Sequence, residues 1–108
     1  MANTFKNSFQ QNIGTSPITV YTAGSGVQAT VIGMTVSNVT ASDVKADILV
    51  NSSGTDYFLV KGATIEPGSS LVPIGGDQKL VLEATDFLKV KSDTSSSLDV
   101  ILSVLEIT

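Results

Sequence analysis

Histidine, cysteine, tryptophan and arginine are all missing from this chain of 108 residues. Without histidine and cysteine, the chain lacks the commonest general base, the commonest zinc ligands and the thiol nucleophile. Without arginine, it lacks the planar group that recognises phosphates and guanine edges. The basic residues are six lysines spread along a chain of net charge −4. These absences predict a protein that is not an enzyme, that uses no cofactor and no metal, and that has no nucleic-acid partner.

Long apolar runs are missing as well. No stretch approaches the roughly 18 apolar residues that a membrane-spanning helix needs, so no membrane partner is predicted. The first twelve residues are mostly polar and lack the apolar segment of a signal peptide. We therefore expect synthesis in a host cytoplasm without export through a signal peptide.

Carboxylates are the remaining candidates for chemistry, at Asp43, Asp47, Asp56 and Asp86. A glycosidase pair would need a cleft with aromatic sugar platforms, and the chain has two tyrosines and no tryptophan. A calcium site would need a loop with several converging carboxylates, and no such loop motif is present. We interpret each of these aspartates as a solvated loop residue that caps or turns the backbone.

The composition is unusually apolar for a small domain, with 42% hydrophobic and 15% charged residues. A water-facing surface normally carries more charge than this. The excess therefore favours either dense packing of two sheets or surfaces that neighbouring subunits cover, and we expect a homo-oligomer.

Turn signals recur every eight to twelve residues, and no segment has a sustained helical period. Among these signals are the polar loop tip Asn51–Asp56, the proline-then-glycine turn at Pro67–Gly68 and the flexible turn Gly75–Asp77. The pattern predicts an all-β fold, a single antiparallel β-sandwich of about eight strands that is jelly-roll-like. An immunoglobulin-like sandwich is the alternative. The predicted strands are Pro17–Thr22, Val27–Val39, Val44–Val50, Tyr57–Lys61, Ser70–Pro73, Lys79–Leu82, Phe87–Lys91 and Leu98–Ile107.

The strand Val27–Val39 is predicted to lie in the middle of the structure. Its apolar residues alternate up to Val31 and then change phase by one position, next to Gly33. Such a shift beside a glycine is typical of a β-bulge.

Residues 1–14 are predicted to form an N-terminal arm outside a sandwich domain at residues 15–108. The arm is polar except for Phe5, Phe9 and Ile13, which are spaced four residues apart. Two interpretations stay open: an arm whose aromatic anchors reach a neighbouring subunit, and an edge strand that lies on its own sandwich.

The last strand is apolar on both faces. One face carries four aliphatic residues from Leu98 to Val104, and the other carries Ile101, Leu105 and Ile107. A strand of this kind is normally covered on both sides. We expect the second face to meet either another subunit or the loops and arm of the same chain. The predicted protein contacts are therefore Phe5, Phe9, Ile13, Ile101, Leu105 and Ile107.

With the strands in place, the whole chain resembles the small all-β virion structural proteins of tailed bacteriophages. The resemblance is carried by T-V-Y-T-A-G (19–24), T-V-I-G-M-T-V-S-N (30–38), K-G-A-T-I-E-P-G-S-S-L (61–71), L-V-L-E-A-T-D-F-L-K-V-K-S (80–92) and L-D-V-I-L-S-V-L-E-I (98–107). It implies a location in the virion and partners such as the major capsid protein or other virion proteins.

The function that this resemblance implies is that of a capsid decoration (cement) subunit, which stabilises the particle through symmetric contacts. A tail, neck or fibre-base accessory protein is the alternative within the same class. A small carbohydrate-binding or adhesion module is the alternative from another class, and it would present aromatic residues on a flat sheet face.

Overall fold

The computed structural model describes residues 2–75 and 79–108, which form nine β-strands and no helix. The strands are β1 (Asn3–Ile13), β2 (Ile18–Thr22), β3 (Gln28–Asn38), β4 (Val44–Ser52), β5 (Thr55–Ile65), β6 (Ser70–Ile74), β7 (Leu80–Leu82), β8 (Phe87–Ser92) and β9 (Leu98–Ile107). The predicted all-β sandwich is confirmed, and all eight predicted strands are present. The ninth strand is β1.

Two antiparallel sheets make up the sandwich. Sheet A has the order β1-β9-β3-β6, with β7 also paired to β3, and sheet B has the order β2-β8-β4-β5. The first and last strands are neighbours in sheet A, and the chain crosses repeatedly between the sheets, which is a jelly-roll-like order. In an immunoglobulin-like sandwich the first and last strands belong to different sheets, so that alternative is wrong.

Strand β3 lies in the middle of sheet A, between β9 on one side and β6 and β7 on the other. Its register against β9 shifts between Val31 and Gly33, so Ile32 is the extra residue of a bulge. The bulge keeps Val31 before it and Met34 after it on the same buried face. Both the central position of this strand and its bulge are confirmed.

The core fills the space between the inner faces of the two sheets. Alternate residues of β3, β4, β8 and β9 are fully buried there, as the period of two requires. Four polar residues of the described chain are buried as well, namely Asn38, Asp86, Ser92 and Ser97, and Asn38 links three parts of the chain. Its amide group donates to the carbonyls of Ser42 and Ile65, and its oxygen accepts from the backbone of Thr40. The buried amide therefore ties β3 to the next turn and to β5.

The turns follow the chemistry of their residues. The β4–β5 hairpin closes through Ser53 and Gly54, both with positive φ, so the loop is shorter than the six-residue tip that the sequence indicated. At the Pro67–Gly68 turn, Gly68 has a φ of 71° and Ser69 N–H donates to the carbonyl of Glu66. Gly76 and Asp77, which belong to a predicted flexible turn, lie outside the described residues.

The segment predicted as an arm is the edge strand β1 in this structure. It pairs with β9 from Asn3 to Ile13, with a register shift between Gln10 and Ile13. Residues 3–13 therefore belong to sheet A of the same chain and lie beside β9 in the plane of the sheet. They do not cover the outer face of β9.

Candidate interaction surface

Strand β9 divides its apolar residues between the two sides of sheet A. Leu98, Val100, Leu102 and Val104 are buried in the core. The alternate residues point outwards, and Ile101 is 53% exposed. Ser103 is exposed as well, whereas Leu105 and Ile107 are half-buried, so the second face of the last strand is open to solvent around Ile101 and Ser103.

Pairing with β1 places aromatic rings next to these aliphatic side chains. Phe5 is the cross-strand partner of Leu105, and Phe9 is the partner of Ile101. The two rings are 77% and 63% exposed. Residues that face each other across two strands share one side of the sheet. The structure thus brings together five of the six predicted contact residues on the outer side of sheet A, the fifth being Ile107.

Ile13 is the sixth predicted contact residue, and it lies elsewhere. Its side chain is fully buried in the core, and its carbonyl accepts from Ser97 N–H. The register shift after Gln10 changes the phase of the strand, so Ile13 points inwards although Phe5 and Phe9 point outwards. In this structure Ile13 is a core residue that is not accessible at the surface.

Two further apolar residues extend the surface across the sheet. Val81 pairs with Thr30 on the outer side, and Val72 lies in the neighbouring strand β6. They are 60% and 59% exposed. Sequence reasoning missed both residues because their strands are short and their partner strand is distant in the chain. The apolar face is defined here as Phe5, Phe9, Val72, Val81, Ile101, Leu105 and Ile107.

The apolar face has hollows as well as projecting side chains. One hollow beside Phe9 is lined by residues of β1 and β9 that include Gln11, Asp99 and Ile101. A second beside Phe5 is lined by residues that include Asn7 and Ser103. Each projecting ring therefore has a recess next to it. Projections and recesses on one surface are what a close-packed protein contact requires.

The inner side of β1 is polar, which is the reverse of an ordinary edge strand on a sandwich. Ser8 Oγ donates to the carbonyl of Val20 at 2.6 Å. Lys6 Nζ lies 3.1 Å from a carboxylate oxygen of Glu106, which also accepts from the hydroxyl of Tyr21. These contacts close the sandwich between β1 and β2. Apart from Ile13, the apolar side chains of β1 serve the outer surface.

Electrostatics at this closed edge follow from the same contacts. Hydrogen bonds from Tyr21 and Lys6 lower the pKa of Glu106 below its usual range. Burial, together with the bond to Glu106, raises the pKa of Tyr21 far above its usual range. The carboxylate is therefore held in its charged form and the phenol in its neutral form, which is a structural arrangement between three strands.

The outer side of sheet B has a different chemistry. Its residues include Lys45, Lys89 and Lys91 with Asp47 and Asp56. We name this surface, defined by those five residues, the lysine face.

Charged groups of the lysine face are paired with other residues of the same chain. Lys89 Nζ lies 2.8 Å from Asp56, which also accepts from the amide of Asn51. These bonds lower the pKa of Asp56. Leu49 is an apolar residue of β4 on the same side of sheet B, and it is buried between its cross-strand partners Phe58 and Lys89.

Catalytic groups do not converge on either face. Among the described residues, no group of three or more carboxylates could hold a metal ion. No helix in that part of the chain is long and apolar enough to cross a membrane. Of the aspartates considered from the sequence, Asp56 accepts from the side chains of Lys89 and Asn51. Asp47 accepts from Gly62 N–H, and Asp86, which is buried and not solvated as predicted, accepts from Glu83 N–H.

No protein-family model matches the chain, and no curated protein matches it. Solved structures do. One is a chain from Bacillus endospore appendages, described as a novel family of disulfide-linked pili, with a TM-score of 0.60 and 13% identity. The match covers 98% of this chain and 88% of that chain. Another is a chain of the T13 IBDV viral particle, with a TM-score of 0.59, 10% identity and coverage of 96% of this chain and 30% of that chain. What this chain shares with both is its fold.

Proposed function

We propose that this chain is a non-enzymatic structural subunit of a virion, of the capsid decoration type, and that it stabilises the particle through symmetric protein contacts. The observation that carries the proposal is the apolar face. It presents two phenylalanines and several aliphatic side chains to solvent in a chain that has the core and the hydrogen bonds of a complete domain. Exposed apolar patches of this size mark protein contacts.

The fold gives further support. Chains of this fold occur in a pilus and in a viral particle, both of which are assembled structures. The resemblance to small virion proteins of tailed bacteriophages supports the virion location and the choice of other virion proteins, the major capsid protein among them, as partners. The mechanism is mechanical: apolar side chains leave water when the subunit binds, and the buried area adds to the cohesion of the shell.

Quantitative mass spectrometry of purified particles tests the location. Hundreds of copies per particle are expected for a head decoration protein. About six or twelve copies would match the symmetry of a neck or tail ring. That result would contradict the decoration role and favour the tail, neck or fibre-base alternative.

Binding of purified protein to empty capsids tests the surface. The Phe9→Asp variant is expected to fold, because Phe9 is exposed, and to bind capsids more weakly, because it loses the symmetric contact at the apolar face. Phe58→Asp, an exposed aromatic on sheet B, is the matched control and should bind as the wild type does. Binding to a glycan array in place of capsids would favour the carbohydrate-binding module and contradict the proposal.

A further inference from the structure

The outer side of sheet A is ordered in rows that run across the strands. β1 pairs with β9 without a shift from Asn3 to Gln10, and β9 pairs with β3 on both sides of the bulge at Ile32, so each row contains one residue from each strand. The three central rows across β1, β9 and β3 are Phe5–Leu105–Thr30, Asn7–Ser103–Gly33 and Phe9–Ile101–Thr35.

These rows have the same chemistry from either end of the sheet. The middle row is small and polar, and each flanking row consists of a phenylalanine, a branched aliphatic residue and a threonine. The fourth column continues the pattern, since Val81 lies beside Thr30 and Val72 lies in the part of β6 that runs beside Thr35. Thr30 and Thr35 are an odd number of residues apart, so in a regular strand they would point to opposite sides of the sheet. The extra residue Ile32 places both threonines on the outer side.

The three central rows read the same from both ends, so they can meet the same rows of a second copy under a two-fold rotation; the rows beyond them differ, with Ile107 at one end and Asp99 at the other. With the axis in the plane of the interface and perpendicular to the strands, each strand lies over the same strand of the other copy, with its rows reversed. Phe5 then meets Phe9 of the second copy, and the middle row meets itself. An isologous contact pairs residue i with residue j in both directions, as Phe5 and Phe9 do here, and the small residues Ser103 and Gly33 lie at the axis.

The distribution of charge selects the same arrangement. The chain carries a net charge of −4, so two copies repel each other. On the strand residues of this side in the described chain, the charged residue is Asp99, which lies at one end, opposite Ser37. Rotation about an axis perpendicular to the strands places the two Asp99 carboxylates at opposite ends of the interface. Rotation about an axis along the strands would place them at the same end.

The area is sufficient for a specific contact. Four strands about 4.8 Å apart, with some nine residues rising about 3.4 Å each, give a footprint of roughly 20 by 30 Å. That is roughly 600 Å² on each copy and about 1,200 Å² in total, which is the lower bound for stable protein interfaces.

We propose that the partner at the apolar face is a second copy of this chain, bound face to face about a two-fold axis that passes through the row Asn7–Ser103–Gly33. The inference rests on the proposed function, because it names the partner of the surface that carries that function.

Charge reversal at Ser103 tests the axis. Ser103 is exposed in the isolated chain, so Ser103→Asp and Ser103→Lys should fold with unchanged melts. Each variant alone would place two like charges together at the axis and is expected to raise the dimer dissociation constant at least about tenfold. An equimolar mixture should recover dimers, with the Asp–Lys heterodimer dominant in native mass spectrometry. Thr64→Asp and Thr64→Lys, at an exposed position on the outer side of sheet B, are the matched controls and should leave dimers unchanged alone or mixed.

Three outcomes would overturn the inference, and each has a different consequence for the proposed function. If both Ser103 variants dimerise as the wild type does, the apolar face is not a contact surface, and the proposed function loses its supporting observation. If both variants lose assembly and the mixture does not recover it, the face is a contact surface without this two-fold axis. If the wild type stays monomeric in light scattering at high concentration, the face has another partner, and capsid binding decides the proposed function.

Discussion

The outer sides of the two sheets are built from equally regular strands but present different surfaces. On sheet B, Phe58 and Phe87 each have a lysine ammonium over the ring, at 5.0 and 5.8 Å from the ring centroids. On sheet A, Phe5 and Phe9 project into solvent, and Lys6, between them in the chain, is turned to Glu106 on the inner side. Phe58 is itself 51% exposed, so the two sides differ chiefly in the neighbours of their rings: a lysine lies over each ring on sheet B, whereas Phe5 and Phe9 lie beside Leu105 and Ile101.

This difference teaches that exposure of an aromatic residue has to be judged with its neighbours. A phenylalanine beneath a lysine is part of a surface made for water, because the long side chain covers the ring while its charge stays solvated. A phenylalanine in a row with leucine and threonine adds to an apolar area that water contacts unfavourably. Under the proposed function, sheet A makes the contacts of assembly and sheet B faces water, and the following predictions test that division.

The largest effect is expected beneath the apolar face. Val36→Asp places an unpaired carboxylate in the core, where Val36 is fully buried, and should destabilise the domain by more than about 4 kcal/mol. Thr35→Asp, one residue earlier on the outer side, should keep the melt and weaken assembly. Urea melts and light scattering on both variants measure this. A cooperative melt for Val36→Asp within a few degrees of the wild type would show that β3 is not central.

Removal of the two rings on the apolar face should separate assembly from folding. Each ring would bury roughly 100 Å² in a contact, worth about 2.5 kcal/mol at about 25 cal/mol per Å². The double variant Phe5→Ala, Phe9→Ala should therefore assemble far more weakly while its thermal melt stays nearly unchanged. Phe58→Ala with Phe87→Ala on sheet B is the matched control and should assemble normally. Full assembly of the first variant together with a much lower melt would assign the rings to the fold of their own chain.

A truncation tests whether β1 is needed for the domain itself. Deletion of residues 2–10 removes the outer rings and the bonds of Ser8 and Lys6 but keeps Ile13 in the core. We expect a folded domain, less stable by about 1–3 kcal/mol, that associates poorly. Circular dichroism and size-exclusion chromatography with light scattering report the two properties. A truncated chain that assembles like the full chain would contradict the role of β1 in the contact.

The smallest effect concerns pH at the edge between β1 and β2. The pKa of Glu106 is lowered on folding, so its contribution is complete above about pH 4.3, the ordinary glutamate pKa, and is lost as the pH falls through the folded value. Glu106→Gln should cost about 1 kcal/mol at pH 7, and the difference from the wild type should shrink below about pH 4.

A matched variant on sheet B completes this test. Asp56→Asn removes an exposed ion pair and should have a smaller effect at every pH, because exposed pairs contribute little. Denaturant melts at several pH values measure both variants. A difference between wild type and Glu106→Gln that does not change with pH would contradict the role given to its carboxylate.

Much of the fold could be predicted from the sequence because its signals are local. Alternation of apolar residues identified β4 and β9, and the phase shift at Gly33 identified the bulge. Proline followed by glycine identified the turn at Pro67. Each of these features depends on the period of two or on the φ preference of one residue, and both are present in a short window of sequence.

The place of β1 could not be predicted in the same way. Its inner side is polar and its apolar residues point outwards, so no buried alternation marks it as a strand of the sandwich. What defines it is pairing with β9, nearly a whole chain length away. The rows of the apolar face have the same origin, since they exist only once the registers of three strands are combined. Single residues such as Phe5 and Ile101 were within reach of sequence reasoning, but their arrangement was not.

The bulge at Ile32 sets which of the following residues of β3 point into the core and which point outwards. Because side chains alternate, removal of this one residue would turn Met34 and Val36 outwards and bring Thr35 into the core. Both surfaces of β3 would be lost together, the buried one and the one offered to a partner. At the two-residue turn of Ser53 and Gly54, by contrast, added residues lengthen a loop without changing the phase of either strand. We therefore expect descendants of this chain to vary in length at residues 53–54 and to keep their length between residues 29 and 36.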